Sequence, residues 1–183
     1  RLPAPGRHMA MNALAALAAA EALGADVQRA GRALAGFAPI AGRGVRRTIS
    51  VPGGNVVLID ESYNANTASV RAALAVLALQ PGARRVAVLG DMLELGEHGA
   101  AEHAALAPDA AAADIVFTCG PLMRGLHDAL QPARRGAHAC DSAALAGIVA
   151  DALRPGDVVL VKGSLGSRMG LVVSTLDSRM ETA

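Results

Sequence analysis

At 183 residues the chain has room for one α/β domain and part of a second. Its net charge of +1 excludes a nucleic-acid surface or an anionic membrane patch as the reason for its composition. The two cysteines, Cys119 and Cys140, form no CxxC pattern, so they offer neither a zinc site nor a disulfide framework, and both are expected as reduced core thiols. The apolar run over residues 13–20 is too short to span a bilayer, and no charged segment with a cleavage site precedes it, so the expected location is the cytoplasm without membrane insertion. The chain opens at Arg1 in a Pro/Gly stretch, as a piece of a longer protein would. Lys162 is its only lysine.

Strong helix formers run over residues 9–23, and Gly24 is a natural stop. Asp26 can cap a second helix reaching to about residue 35. Residues 37–44, rich in Pro and Gly, read as a linker. Beyond it, residues 46–51 and 56–60 are β-branched runs around Pro52-Gly53-Gly54-Asn55, a hairpin signal. Helix and strand then alternate. A helix over 68–79 leads to a strand over 85–89, and an alanine-rich helix over 99–113 to a strand over 115–118. A helix over 121–130 precedes a weak strand near 137–140. Asp141 or Ser142 caps a helix over 143–153, residues 157–161 form the last strand, and a helix over 167–178 follows. This order predicts an α/β fold: a mostly parallel sheet wrapped by helices on both faces, with the hairpin at one edge.

In such sheets ligands bind beyond the carboxyl ends of the strands. Three polar loops fall there: 61–67, 90–96 and 162–168. Asn64, Asn66 and Thr67 suit both ligand contact and capping of the next helix. Asp91 and Glu94, three apart, suit a shared metal ion or, better, a cap on the helix that follows. Lys162-Gly163-Ser164 combines an ammonium, bare backbone and a hydroxyl, a composition suited to a carboxylate or phosphate. The sequence has no GxxxxGK[ST] or GxGxxG loop, no metal-ligand spacing among its histidines, and no GxSxG elbow.

Asp60-Glu61-Ser62-Tyr63-Asn64-Ala65-Asn66, then Gly90-Asp91-Met92-Leu93-Glu94-Leu95-Gly96, then Lys162-Gly163-Ser164 with Arg168-Met169, resemble the UDP-N-acetylmuramoyl-tripeptide–D-alanyl-D-alanine ligases, one family of Mur ligases. Gly6-Arg7-His8 with Asn12-Ala13-Leu14-Ala15 is similar to the end of that family's ATPase domain. The resemblance implies that residues 1–44 close the central ATP-binding domain and its linker, and that residues 45–183 form a Rossmann-like C-terminal domain. It also implies an enzyme that uses ATP and Mg2+ to activate the tripeptide carboxylate of the UDP-sugar precursor as an acyl phosphate, which the amine of D-alanyl-D-alanine attacks. The phosphate loop, the metal ligands and the N-terminal domain would lie upstream, leaving this chain inactive alone.

By the same resemblance His8 and Asn12 stand beside the adenine, and Arg43 reaches the phosphates, where a guanidinium fork suits developing negative charge. Asp60 or Glu61 meets the ribose. Asn64, Asn66, Lys162, Ser164 and Arg168 are the candidates for the peptide substrates. Met9, Ala41 and Thr67 depart from the family pattern. The alternatives are a sister Mur-type or folylpolyglutamate-type ligase, or a stand-alone α/β binding module without catalysis.

Overall fold

A computed structural model describes residues 2–3 and 5–178; Arg1 and Ala4 of the Pro/Gly opening, and residues 179–183, lie outside the described residues. The chain divides into two compact units, Arg1–Ile40 and Ala41–Ala183. The first is a helical pair. Helix α1 spans Arg7–Ala22. Helix α2, Val27–Ala33, is capped by Asp26, whose carboxylate accepts from the amides of Gln28 and Arg29. Neither helix has a buried residue, so this pair has no core of its own.

The second unit is a six-stranded sheet. Strand β1 (Val45–Val51) folds back antiparallel on β2 (Gly54–Glu61) through Pro52-Gly53, a tighter turn than the four-residue signal, with Val51 opposite Gly54. Helix α3 (Thr67–Ala78) leads to β3 (Arg84–Gly90). Helices α4 (Gly99–Ala104) and α5 (Ala107–Ala110) lead to β4 (Ile115–Cys119). Helix α6 (Met123–Ala129) leads to β5 (Arg135–Ala139), and α7 (Ser142–Ala152) to β6 (Asp157–Lys162). Helix α8 (Gly170–Ser178) follows. The strand order is β1-β2-β6-β3-β4-β5, with every pair after the first parallel.

Strand β6 is buried at every position, as a central parallel strand covered on both faces must be. Val159 and Val161 join the core beneath α7 and α8, while Val158 and Leu160 join the core beneath α3, α5 and α6. Two expected helices are interrupted. The alanine-rich segment breaks between α4 and α5, because Pro108 has no amide hydrogen and its ring would meet the carbonyl of Ala104, one turn back. The last helix begins at Gly170 rather than 167, because a 3-10 turn at Leu165–Ser167 and a left-handed Arg168 (φ 53°) come first.

Candidate functional site

The loops after β2, β3, β4, β5 and β6 meet at the carboxyl edge of the sheet. Beside β2 they form a polar cluster around the segment that enters β1. Asp60 is buried, and its carboxylate accepts from the Gly42 amide (3.2 Å), the Ser62 amide (3.1 Å) and the Ser62 hydroxyl (2.6 Å). The Tyr63 amide donates to the Gly42 carbonyl, and the Gly44 amide to the Asp60 carbonyl. Gly42 has φ +74°, and a β-carbon there would lie 2.9 Å from that of Tyr63, so only glycine fits. This strapping holds Arg43, itself exposed, with its guanidinium 4.1 Å above the centre of the Tyr63 ring. The side chain of Tyr63 thus has a partner that its place in the motif did not reveal.

Glu61, next in line, is only partly buried, and its Oε2 accepts from the Lys162 ammonium at 3.3 Å. The two are 101 positions apart, brought together because β6 pairs with β2 and sets Glu61 beside Lys162. Lys162 is 2 % exposed and also donates to the Asn64 carbonyl at 2.9 Å. An ammonium is costly to bury without a partner; here it is buried and paired, the condition under which a buried charge survives. Burial pulls its pKa below the usual lysine value, and Glu61 opposes that pull.

The neighbouring candidates are committed to the backbone. The Asn66 side chain caps α3 by accepting from the Ser69 amide at 2.8 Å, and Ser69 returns the contact, a capping box. The Asn64 side-chain oxygen accepts from the Ala65 amide, leaving its NH2 group at the surface. Ser164 is buried; its hydroxyl donates to the Ala65 carbonyl and accepts from the Leu93 amide at 2.9 Å.

Beside this cluster a cavity of about 340 Å3 opens between the loops after β3, β4, β5 and β6, bordered by Asp91, Gly120, Cys140, Asp141, Ser167 and Arg168 among others. The loop 162–168 borders both regions. Asp91 is buried and caps α6 rather than the helix that follows it in sequence, accepting from the amides of Met123 (2.8 Å) and Leu122 (3.3 Å). Glu94 caps nothing: it is exposed with a left-handed backbone, φ 67°. Asp141, not Ser142, caps α7, and the Ala144 amide it accepts holds its carboxyl below the usual range. Arg168, which borders the same cavity, adds to that lowering.

The thiols divide between core and surface, which corrects the expectation of two core cysteines. Cys119 is buried, and burial pushes it up to about 12; Cys140 is exposed at the cavity. A disulfide-exchange reagent near neutral pH is therefore expected to titrate one thiol in the folded chain and both in denaturant. Two fast-reacting thiols in native protein would contradict the packing of β4.

In the first unit His8 and Asn12 stand one turn apart on α1, so they share a face. Asn12 borders an apolar groove of about 190 Å3 with Met9, Ala13 and Phe37. Among the described residues no group of three or more His, Cys, Asp or Glu side chains is placed to hold a metal ion, and no helix is long and apolar enough to cross a membrane.

The family model described as "Mur ligase, glutamate ligase domain" matches residues 45–165. The chain is 36 % identical over 200 residues to the UDP-N-acetylmuramoyl-tripeptide–D-alanyl-D-alanine ligase of Mycobacterium tuberculosis, covering 96 % of this chain and 39 % of the relative. It is 37 % identical over 179 residues to the Escherichia coli ligase of the same name, covering 96 % and 38 %. The solved MurF ligase of Thermotoga maritima in complex with ADP superposes with a TM-score of 0.79 at 25 % identity, over 98 % of this chain and 40 % of that one. The chain thus spans about two-fifths of the length of the relatives it matches. With the sheet, the loop cluster and these likenesses in agreement, the chain belongs to the Mur ligase family, whose glutamate ligase domain it carries.

Proposed function

We propose that this chain is the C-terminal part of a cytoplasmic, ATP- and Mg2+-dependent ligase that adds D-alanyl-D-alanine to the tripeptide of a UDP-N-acetylmuramoyl precursor. The observation that carries this reading is the joining of two polar regions at one sheet edge through the single loop 162–168. One region faces the nucleotide and the other takes the incoming dipeptide.

On the nucleotide side the hydrogen bonds support Glu61 over Asp60 as the ribose contact. Asp60 spends its carboxylate on Gly42 and Ser62 inside the turn, with the Arg47 guanidinium 3.8 Å away. Glu61 is anchored through Oε2 only, and its Oε1 faces Gly44 without accepting from any described group. Glu61 is therefore the residue to accept hydrogen bonds from the ribose hydroxyls. Arg43 fits the phosphates, as an exposed guanidinium fixed in direction by the Tyr63 ring. His8 and Asn12 serve the adenine from α1. Bound ATP supplies the phosphoryl group that activates the acceptor carboxylate.

On the other side Arg168 is a monovalent cation at the mouth of a cavity large enough for a dipeptide, and it fits the D-alanyl-D-alanine carboxylate. The free NH2 group of Asn64 is available to a peptide carbonyl. Asn66 and Ser164 contribute through the loop shape they hold. The metal ligands and the phosphate loop belong to the upstream domains.

The test is an assay of full-length protein: ADP release should require both the UDP-N-acetylmuramoyl-tripeptide and D-alanyl-D-alanine, with the pentapeptide product seen by mass. The isolated 183-residue chain is expected to turn over no ATP above background. Full-length protein that accepts a free amino acid in place of the dipeptide would move the reading to a sister ligase.

A further inference from the structure

Lys162 is the only lysine in the chain, and it sits at the end of a fully buried strand. Its side chain is 2 % exposed, so a ligand oxygen cannot approach its ammonium without displacing protein. The hydrogen bonds of that ammonium run inward, to the Asn64 carbonyl at 2.9 Å and to Glu61 Oε2 at 3.3 Å. An apolar side chain of similar length would fill the same space without desolvating a charge, so packing gives no reason for an ammonium here. Its anionic partner supplies one. Glu61 is a long, partly exposed side chain that pays rotational entropy to hold one conformation, and a fixed cation on one oxygen removes that freedom while leaving the other oxygen open.

We propose that Lys162 is a positioning residue that touches no substrate: it fixes the Glu61 carboxylate and the Asn64 carbonyl, so that Glu61 meets the nucleotide in one orientation. This rests on the assignment of Glu61 to the ribose made above. It moves Lys162 from the peptide substrates to the nucleotide side, although its loop also borders the dipeptide cavity.

The test uses the full-length enzyme, with ADP affinity from calorimetry and KM for D-alanyl-D-alanine from steady-state kinetics. Lys162→Met should weaken ADP about tenfold, the scale of one charge-assisted contact, and leave the dipeptide KM within about twofold. Glu61→Ala should weaken ADP by a similar factor, and the double variant should be no weaker than the worse single one, because the two act as one unit. Lys162→Arg should recover part of the affinity. Additive losses in the double variant, or a raised dipeptide KM with ADP affinity unchanged, would overturn the assignment. Wild-type enzyme that binds no ADP would overturn the nucleotide reading itself, and this assignment with it.

Because loss of a buried ammonium can also cost folding, Glu61→Ala carries a second readout that leaves the lysine in place. Acylation of Lys162 by an N-hydroxysuccinimide ester, followed by peptide mass spectrometry, should rise severalfold in this variant over wild type. Equal labelling in both would show that Glu61 does not hold the ammonium.

Discussion

Replacing Arg43 by alanine in the full-length ligase is expected to lower turnover by roughly ten- to thousandfold, the range for loss of one charge-stabilising donor. Arg43→Lys should recover only part of this, because an ammonium lacks the planar fork and stacks less well on an aromatic face. The structure adds a second arm. The guanidinium lies 4.1 Å above the Tyr63 ring, so Tyr63→Ala should reproduce a share of the loss, whereas Tyr63→Phe, which keeps the face, should stay near wild type. Steady-state turnover of the four variants decides the matter. Wild-type rates for Arg43→Ala would remove this arginine from the reaction, and equal losses in Tyr63→Ala and Tyr63→Phe would remove the stack from its support.

Gly120→Ala is expected to destabilise the domain by about 2–5 kcal/mol, combining a disallowed backbone with a broken helix cap. Gly120 has φ +100°, and a β-carbon there would lie 2.5 Å from both carboxylate oxygens of Asp91. Asp91 is buried and holds the first amides of α6, so it cannot retreat without abandoning them. The same displacement would deform the cavity that both residues border. Urea unfolding of the wild-type and variant chains measures the loss. A change below about 0.5 kcal/mol, the scale of an ordinary surface substitution, would show that Gly120 and Asp91 are not pressed together as described.

Much of the local structure was legible in the residues. Asp26, Asn66 and Asp141 cap the helices they precede, because a short polar side chain reaches amides only two or three positions ahead. The alternation of strands with helices identified a covered parallel sheet, since it is carried by periods of neighbouring residues. The edge hairpin was visible for the same reason. The break before Pro108 was missed, because the run of alanines around it reads as one continuous helix.

The identity of the loops lay in the sequence, while their division of labour did not. Asp60 and Glu61 are adjacent acids with equal claim to a ligand until their partners are known. Those partners are Gly42, Ser62 and Arg47 for Asp60, and for Glu61 a lysine 101 positions away. Asp91 likewise caps a helix 31 and 32 positions downstream rather than the one beside it. The sequence by itself determined the order of strands and helices, the caps made by Asp26, Asn66 and Asp141, and the family motifs, because each is carried by residues close together in the chain. Only the tertiary structure decided which polar groups are spent inside the protein and which stay open to a ligand, because burial and hydrogen-bond saturation depend on strand order, and the placing of β6 between β2 and β3 joins parts of the chain that no local period relates.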